Sequence, residues 1–348
     1  MMSGKIKIGV IGASGYTGSD LVRLAVRHSD IEIAALTANS HAGKPMHQVF
    51  PHLADLNLPD LVKNEEVDWS EIDAVFCGLP HATSQEVIAA LPSHLKIIDM
   101  SADFRLRDAQ TYQEWYGVER TQHELQKQAV YGLSEHYRND LAKARLVACP
   151  GCYPTAVLLL LLPLVEQGLI DAGDLIIDAK SGLTGAGRGL KQNTLFAEAG
   201  EGMSAYSVAK HRHAPEIEQE LSLAAGQDVM VNFTPHLVPM ARGEFISAYA
   251  RLVNGATDAD CRAALKARYA NEPFVYMAPD GVMPATQYVR GSNKVMLGAY
   301  ADRVPGRVIL MSTLDNLVKG SAGQALQNFN IMFGLEETSG LQQVTMFP

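Results

Sequence analysis

Cysteine is scarce in this 348-residue chain: Cys77, Cys149, Cys152 and Cys261 are too few and too scattered for a disulfide framework. Long apolar runs are missing too. The longest, residues 156–165, falls well short of the roughly 18 residues that mark a membrane span. No secretory leader is visible. The short apolar stretch 6–11 runs straight into a glycine motif that needs it, so a reducing cytoplasm is the expected home. Positive charge is in deficit, 29 Lys and Arg against 38 Asp and Glu with a formal net charge of −9, which argues against a nucleic-acid or acidic-membrane partner. No internal repeat or low-complexity linker breaks the chain. The remainder, 47% hydrophobic and 19% charged, is an ordinary globular composition at a length that favours two domains.

The first ordered signal is a strand-like run, 5–11, followed by Gly12-Ala13-Ser14-Gly15-Tyr16-Thr17-Gly18 and a helical pattern. Glycines there let the backbone turn tightly and approach a pyrophosphate, whose charge then faces a helix N-terminus. The spacing is Gly-x-x-Gly-x-x-Gly, so its placement between strand and helix carries the dinucleotide expectation. An NAD site wants an acidic side chain at the end of the second strand. The second strand, about 31–37, has Glu32 near its start and ends in Thr37-Ala38-Asn39-Ser40-His41-Ala42-Gly43-Lys44. That neutral, hydroxyl-rich and mildly basic stretch suits a 2′-phosphate. NADP(H) is therefore expected, with Ser40 as the first contact and Lys44 as a weaker one. Strand and helix continue to alternate, which gives an α/β class with a Rossmann-like parallel sheet. Loops after such strands line the ligand crevice, which makes Leu79, Pro80, Ser101 and Arg105 crevice candidates.

Cys152 is the residue the middle of the chain is organised around. A strand ending near Ala148 leads into Cys149-Pro150-Gly151-Cys152-Tyr153-Pro154-Thr155 and then an apolar helix. Pro150-Gly151 is a turn, and Pro154 suits a first helical turn. Cys152 thus falls at a helix start, where unpaired N–H groups and the positive helix end favour a thiolate, the nucleophilic form. A small buried core cysteine is the plainer alternative. Cys149 and Cys152 also form a C-x-x-C, which leaves redox use open, while no second pair exists to complete a zinc site.

Beyond Cys152 comes a strand at 175–179 and then a glycine-rich loop, 180–189, with Lys180 and Arg188. Such a loop either holds phosphate groups or is a mobile surface segment. Lys210-His211-Arg212-His213-Ala214-Pro215-Glu216 packs two histidines, an arginine and a carboxylate together. A metal site lacks a third strong ligand there, and a general base beside a substrate-binding arginine fits better than surface histidines. Alternating strands at 229–239, 244–253, 294–301 and 307–314 point to an α+β substrate and oligomerisation domain with a mixed or antiparallel sheet. The expected division is 1–150, completed by a C-terminal helical segment 316–348, and 151–315.

Taken in order, the glycine motif, Ser101-Ala102-Asp103-Phe104-Arg105, Pro150-Gly151-Cys152-Tyr153-Pro154-Thr155, Lys180-Ser181-Gly182 with Gly185-Ala186-Gly187-Arg188, His211-Arg212-His213 with Pro215-Glu216, and Asp315-Asn316-Leu317-Val318-Lys319-Gly320 span nearly the whole chain. The chain resembles the N-acetyl-gamma-glutamyl-phosphate reductase family, in its longer subtype. The resemblance implies an NADPH-dependent step of arginine biosynthesis in which N-acetyl-glutamyl 5-phosphate becomes the 5-semialdehyde plus phosphate. It implies Cys152 as nucleophile and His211 as base, with His213 the alternative. It implies cofactor contacts from Gly12, Ser14, Gly15, Tyr16, Thr17, Gly18, Ser40, Leu79, Pro80, Ser181, Gly182 and Asn316. Substrate contacts are expected from Ser101, Arg105, Arg188, Arg212, His213 and Glu216, no metal is expected, and the partner is a second copy or more in a homodimer or homotetramer. The family's usual Asn before Pro-Gly-Cys is Cys149 here. Rival assignments are a sister aspartate-semialdehyde or glyceraldehyde-phosphate dehydrogenase, a lysine-pathway relative with a carrier-bound substrate, and a non-catalytic NADP-binding sensor.

Overall fold

The computed structural model describes residues 4–348. The chain divides into two compact units, one holding the chain through Pro150 together with Ser321–Gln342, the other Gly151–Gly320 with Gln343–Pro348. The sequence pattern assigns all of 316–348 to the first domain. The structure instead keeps 316–320 and the last six residues with the second, where Met346 N donates to Arg290 O at 3.0 Å.

The first unit is a seven-stranded, wholly parallel sheet. Its strands are β1 (Ile6–Ile11), β2 (Ile31–Thr37), β3 (Leu61–Val62), β4 (Ala74–Cys77), β5 (Lys96–Asp99), β6 (Ala129–Tyr131) and β7 (Leu146–Ala148), in the spatial order β3-β2-β1-β4-β5-β7-β6. β1, β4 and β5 are almost wholly buried because both faces of a parallel sheet are covered. The order reverses between β1 and β4, and ligands of such sheets bind at that reversal, beyond the strands' carboxyl ends. The short strands β3 and β6 escape sequence detection: two or three residues carry no periodicity.

The C-terminal helix Gly323–Phe333 belongs to this unit. Gln324, Gln327, Asn328 and Asn330 lie on it fully buried. Buried amides must be bonded, and the NH₂ group of each of these four donates, while Gln324 Oε1 has no partner among the described residues. Gln324 Nε2 and Asn328 Nδ2 both donate to Gly132 O, at 2.7 and 2.8 Å, while Asn328 Oδ1 accepts from Ser134 Oγ at 2.7 Å. Polar recognition rather than small-residue packing therefore seats this helix. Gly334, at φ 64°, ends it.

The second unit is one seven-stranded mixed sheet. Its strands are β8 (Ile170–Gly182), β9 (Ser204–Ala205), β10 (Asn232–Val238), β11 (Glu244–Leu252), β12 (Val275–Met277), β13 (Val295–Ala301) and β14 (Arg307–Leu314), ordered β12-β13-β14-β11-β8-β10-β9. β11 is central, antiparallel to both β8 and β14. With α1 naming the helix Tyr16–Ala25 of the first unit, the second carries α2 (Cys152–Glu166), α3 (His213–Ala225) and α4 (Asp258–Arg268). Thirteen of the fifteen α2 residues are buried, as an all-round apolar helix must be. Pro163 inside it deprives the Leu159 carbonyl of its helical partner. The Tyr269 hydroxyl donates to that carbonyl at 2.6 Å, which removes a penalty of about 1–3 kcal/mol for a buried unmet acceptor.

Candidate active site

In the first unit the three glycines of the motif answer different demands. Gly12 sits at φ +81°, and a Cβ there would lie 2.3 Å from the Gly78 carbonyl oxygen. Gly18 has no room either, with Ala13 Cα and the Gly12 oxygen 2.7 Å from a built Cβ. Gly15 has an ordinary φ of −84° and nothing nearer than 3.6 Å, so no protein contact excludes a side chain. Close approach of a ligand to the backbone would, and Gly15 is the N-cap of α1, whose first turn has neither a capping side chain nor an acidic residue. Ser14, Tyr16 and Thr17 surround that helix start, half-buried. Ser40 and Lys44 are exposed just beyond β2, whose own acidic residue, Glu32, is exposed near its start. The residues present therefore fit a dinucleotide with a phosphorylated ribose.

Two first-unit residues expected to meet substrate are largely committed to the fold. The Ser101 hydroxyl accepts from Leu79 N at 3.1 Å and Ser101 N donates to Asp99 Oδ1 at 2.9 Å, so Ser101 holds the turn at Leu79 and Pro80. Arg105 is buried and its Nη2 donates to Met100 O at 3.1 Å. Asp103, absent from the expected set, is the organiser here. It accepts from Ala82 N at 2.8 Å, Ser84 N at 2.9 Å and the Tyr112 hydroxyl at 3.0 Å. Burial pushes the neighbouring Asp99 carboxyl up to about 6.

In the second unit, Cys152 is the first residue of α2 and half-buried, with Gly151 as N-cap. Its surroundings explain three glycines' worth of close approach. A Cβ on Gly151 would strike His213 Nε2 at 2.3 Å, and one on Gly320 would strike Cys152 Cβ at 2.7 Å. Gly243, at φ +119°, lets the chain turn into β11. Glu216, expected on the substrate, has another job. It is buried, and its Oε1 accepts from Gly151 N at 2.9 Å, clamping the turn that presents the sulfur.

His211 and His213 lie edge to face at 4.7 Å between ring centroids, and Tyr153, Tyr206 and Phe233 surround His211 at 5.3–5.6 Å. His213 N donates to His211 Nδ1 at 3.1 Å. A backbone N–H can only donate, so Nδ1 holds a lone pair and the neutral ring carries its proton on Nε2. His211 in that form presents a donor. Arg212 and Arg188 are exposed, while Ser181 and Gly182 are buried at the end of β8. Both ends of the Asn316 amide are engaged: Oδ1 accepts from Gly243 N at 2.9 Å and Nδ2 donates to Thr184 Oγ1 at 2.9 Å. Asn316 thereby ties the loop after β8 to the turn before β11.

That turn delivers a residue the sequence expectations omit. Glu244 is fully buried at the head of β11, and neither carboxyl oxygen has a hydrogen-bond partner among the described residues. Burial pushes that carboxyl up to about 8, the thiol opposing the rise and the nearby Asp315 charge adding to it. A signal was present: Glu244 is in phase with Ile246, Ala248 and Ala250, the buried face of β11.

Residues 7–144 match the family model described as semialdehyde dehydrogenase, NAD binding domain, and residues 152–316 match semialdehyde dehydrogenase, dimerisation domain. A Rhodospirillum rubrum protein named N-acetyl-gamma-glutamyl-phosphate reductase is 54% identical over 352 residues, covering 100% of both chains. The chain belongs to the N-acetyl-gamma-glutamyl-phosphate reductase family. An Arabidopsis thaliana protein named as a probable chloroplastic N-acetyl-gamma-glutamyl-phosphate reductase is 52% identical, covering 99% of this chain and 86% of that one. In fold, the crystal structure of aspartate semialdehyde dehydrogenase II from Vibrio cholerae matches with a TM-score of 0.72 at 16% identity, covering 95% of this chain and 99% of the other.

Within this reductase family the chain's Cys149 needs its own account. It is buried, accepts from Asn328 Nδ2 at 3.6 Å, and burial pushes its thiol up to about 12. Such a thiol is a poor nucleophile, and all four cysteines are free. Cys149→Ser is expected to keep kcat within about threefold of wild type, and full activity after that change would exclude a disulfide cycle. Loss of activity on that change, restored by reductant in the wild type alone, would bring the redox reading back.

Proposed function

We propose that this chain reduces N-acetyl-L-glutamyl 5-phosphate to N-acetyl-L-glutamate 5-semialdehyde and phosphate, with NADPH as reductant, as a step of arginine biosynthesis. The observation that carries the chemistry is Cys152 as the opening residue of a fifteen-residue helix, clamped by Glu216 through Gly151, whose backbone lies against His213, and itself packed against Gly320. Only Cys149, Pro150 and Gly151 separate Cys152 from the end of β7 along the chain. The unit built on the parallel sheet is the dinucleotide-binding domain, and the mixed-sheet unit the catalytic and oligomerisation domain.

An acyl phosphate is an activated acyl group. The Cys152 thiolate attacks its carbonyl and expels phosphate, which splits one hard step into two. Backbone N–H groups at the start of α2 stabilise the oxyanion, as donors held in place before charge develops. His211, as an Nε2 donor, adds a hydrogen bond to that oxygen. NADPH, when bound, supplies the hydride that turns the thioester into the aldehyde oxidation state. The glycine loop at residues 12–18 and Ser40 would hold it. Arg188 and Arg212 grip phosphate and the substrate carboxylate, the charges for which guanidinium geometry is suited.

The chain acts as a homodimer or homotetramer. Leu190, Phe196, Met203 and Val208 are exposed within one segment of the second unit, apolar surface of the kind that a partner copy covers. No helix among the described residues is long and apolar enough to cross a membrane, and a nucleophilic thiol works in a reducing cytoplasm. The deciding assay is phosphate-dependent NADP⁺ reduction with N-acetyl-glutamate semialdehyde. NADP⁺ is expected to outperform NAD⁺ on kcat/KM by at least about tenfold, the worth of one good charged contact of about 1.4 kcal/mol. A preference for NAD⁺ would remove Ser40 and Lys44 from the cofactor site, and activity without phosphate would remove the acyl phosphate.

A further inference from the structure

We infer that Asp103 is a positioning residue for the dinucleotide: it holds Ala82 in the left-handed backbone conformation and so fixes the turn at residues 78–83 in the shape that receives the cofactor. The inference rests on the reading of Leu79 and Pro80 as cofactor contacts. Its first support is strain. Ala82 has φ 66° and carries a Cβ where glycine is the ordinary occupant. For an alanine that conformation is disfavoured roughly 5- to 30-fold. It persists only where the surroundings impose it, and such residues cluster at active sites and ligand clamps. Ala82 is itself exposed, so packing of its side chain does not impose it.

The second support is the group that does. Asp103 is fully buried. Its Oδ1 accepts from Ala82 N at 2.8 Å, and its Oδ2 accepts from Ser84 N and Ser84 Oγ, both at 2.9 Å. A carboxylate has the lone pairs to take two backbone N–H groups and two hydroxyls at once. The second hydroxyl is that of Tyr112, on the helix Ala109–Tyr116, which donates to Oδ1 at 3.0 Å. The Arg120 guanidinium lies over the Tyr112 ring, 4.5 Å from its centroid, and backs the network from the far side. Met100 N donates to Cys77 O at 2.8 Å, which carries the pairing of β4 with β5 one residue further toward Asp103.

The third support is place. The turn begins at Gly78, whose carbonyl oxygen leaves no room for a Cβ on Gly12, the first glycine of the motif. Gly78 N donates to Ile11 O at 2.9 Å, and Leu79 N is held by Ser101. Residues 78–83 therefore start against the glycine motif, at the reversal of strand order between β1 and β4 where ligands of parallel sheets bind. Capping of the helix Ser84–Ala89 accounts for the two bonds from Ser84. It does not require an alanine at φ 66° two residues earlier.

The test is NADP⁺ affinity by calorimetry on the full chain, together with amide hydrogen exchange across residues 78–84. In wild type, NADP⁺ should slow exchange in that stretch. No protection there would remove Leu79 and Pro80 from the cofactor site, and the inference with them. Asp103→Ala should quicken exchange at 82–84 without cofactor and weaken NADP⁺ binding at least about fivefold, through loss of the binding-competent population. Glycine reaches φ 66° unaided, so adding Ala82→Gly to Asp103→Ala should restore affinity at least about threefold. A merely structural cap would lower Tm in Asp103→Ala, leave Kd measured well below Tm unchanged, and gain nothing from glycine. An unchanged Kd or an absent rescue overturns the inference, while protection in wild type leaves the cofactor reading standing. Should Asp103→Ala not fold, Ala82→Val decides, because a β-branched side chain at positive φ is a genuine outlier. It should quicken exchange and weaken NADP⁺ binding at least about tenfold, whereas Ala82→Gly should bind at least as tightly as wild type. Equal affinities in those two variants, or a loss in the valine variant without faster exchange, overturn it equally.

Discussion

Cys152→Ser is expected to fold and bind NADPH normally while losing acyl transfer by a factor on the order of 10⁴ or more, the scale seen when a nucleophile is removed. A hydroxyl is smaller than a thiol and introduces no clash, and Cys152 is half-buried at a helix start, so packing around Gly320 and α2 tolerates the change. What a hydroxyl cannot do is ionise. A helix N-terminus contributes about 0.3–1 kcal/mol to a surface anion, far short of what an alkoxide requires near neutral pH. Mass spectrometry separates the possibilities. Wild type given acyl phosphate without NADPH should carry an acyl mass at Cys152, and the serine variant none. Absence of any adduct on the wild type would refute covalent catalysis.

His211→Asn is expected to lower kcat by roughly 10²–10⁴. The structure refines that expectation, because the His213 N–H occupies His211 Nδ1 at 3.1 Å and leaves Nε2 as the donor. A group that acts by donating a hydrogen bond is partly replaced by glutamine, whose amide N–H₂ reaches about as far as Nε2. A group that acts by taking a proton is not. His211→Gln should therefore recover at least about tenfold of the activity that His211→Asn loses, and the limb of the pH–rate profile should stay where it is in wild type. If glutamine and asparagine are equally inactive and that limb disappears, His211 is a base after all.

Much of the architecture was legible because it rests on local pattern. The glycine motif between strand and helix, the apolar run after Cys152, and the shift from alternating β and α elements to clustered strands are properties of neighbours in sequence, and periodicity reports them directly. From those the chain yields a parallel dinucleotide-binding sheet, a mixed second sheet and a cysteine at a helix start. β3 and β6 did not show, being too short to have a period. The C-terminal helix was visible as a helix, yet its buried Gln324, Gln327, Asn328 and Asn330 look like surface residues until their partners around Gly132 and Ser134 are in place.

By itself, then, the sequence determined which residues carry reactive chemistry and which backbone elements hold them, since both follow from residue type and spacing. Only the tertiary structure decided what each polar side chain does. Glu216 reaches back 65 residues to hold Gly151, Asn316 reaches 73 to hold Gly243, and Glu244 is buried at the head of β11 with no hydrogen-bond partner among the described residues. The reason is that a hydrogen bond or a desolvated carboxyl depends on partners distant in the chain, which no local pattern encodes, whereas the hydrophobic periodicity that builds helices and strands is written in every turn and every second residue.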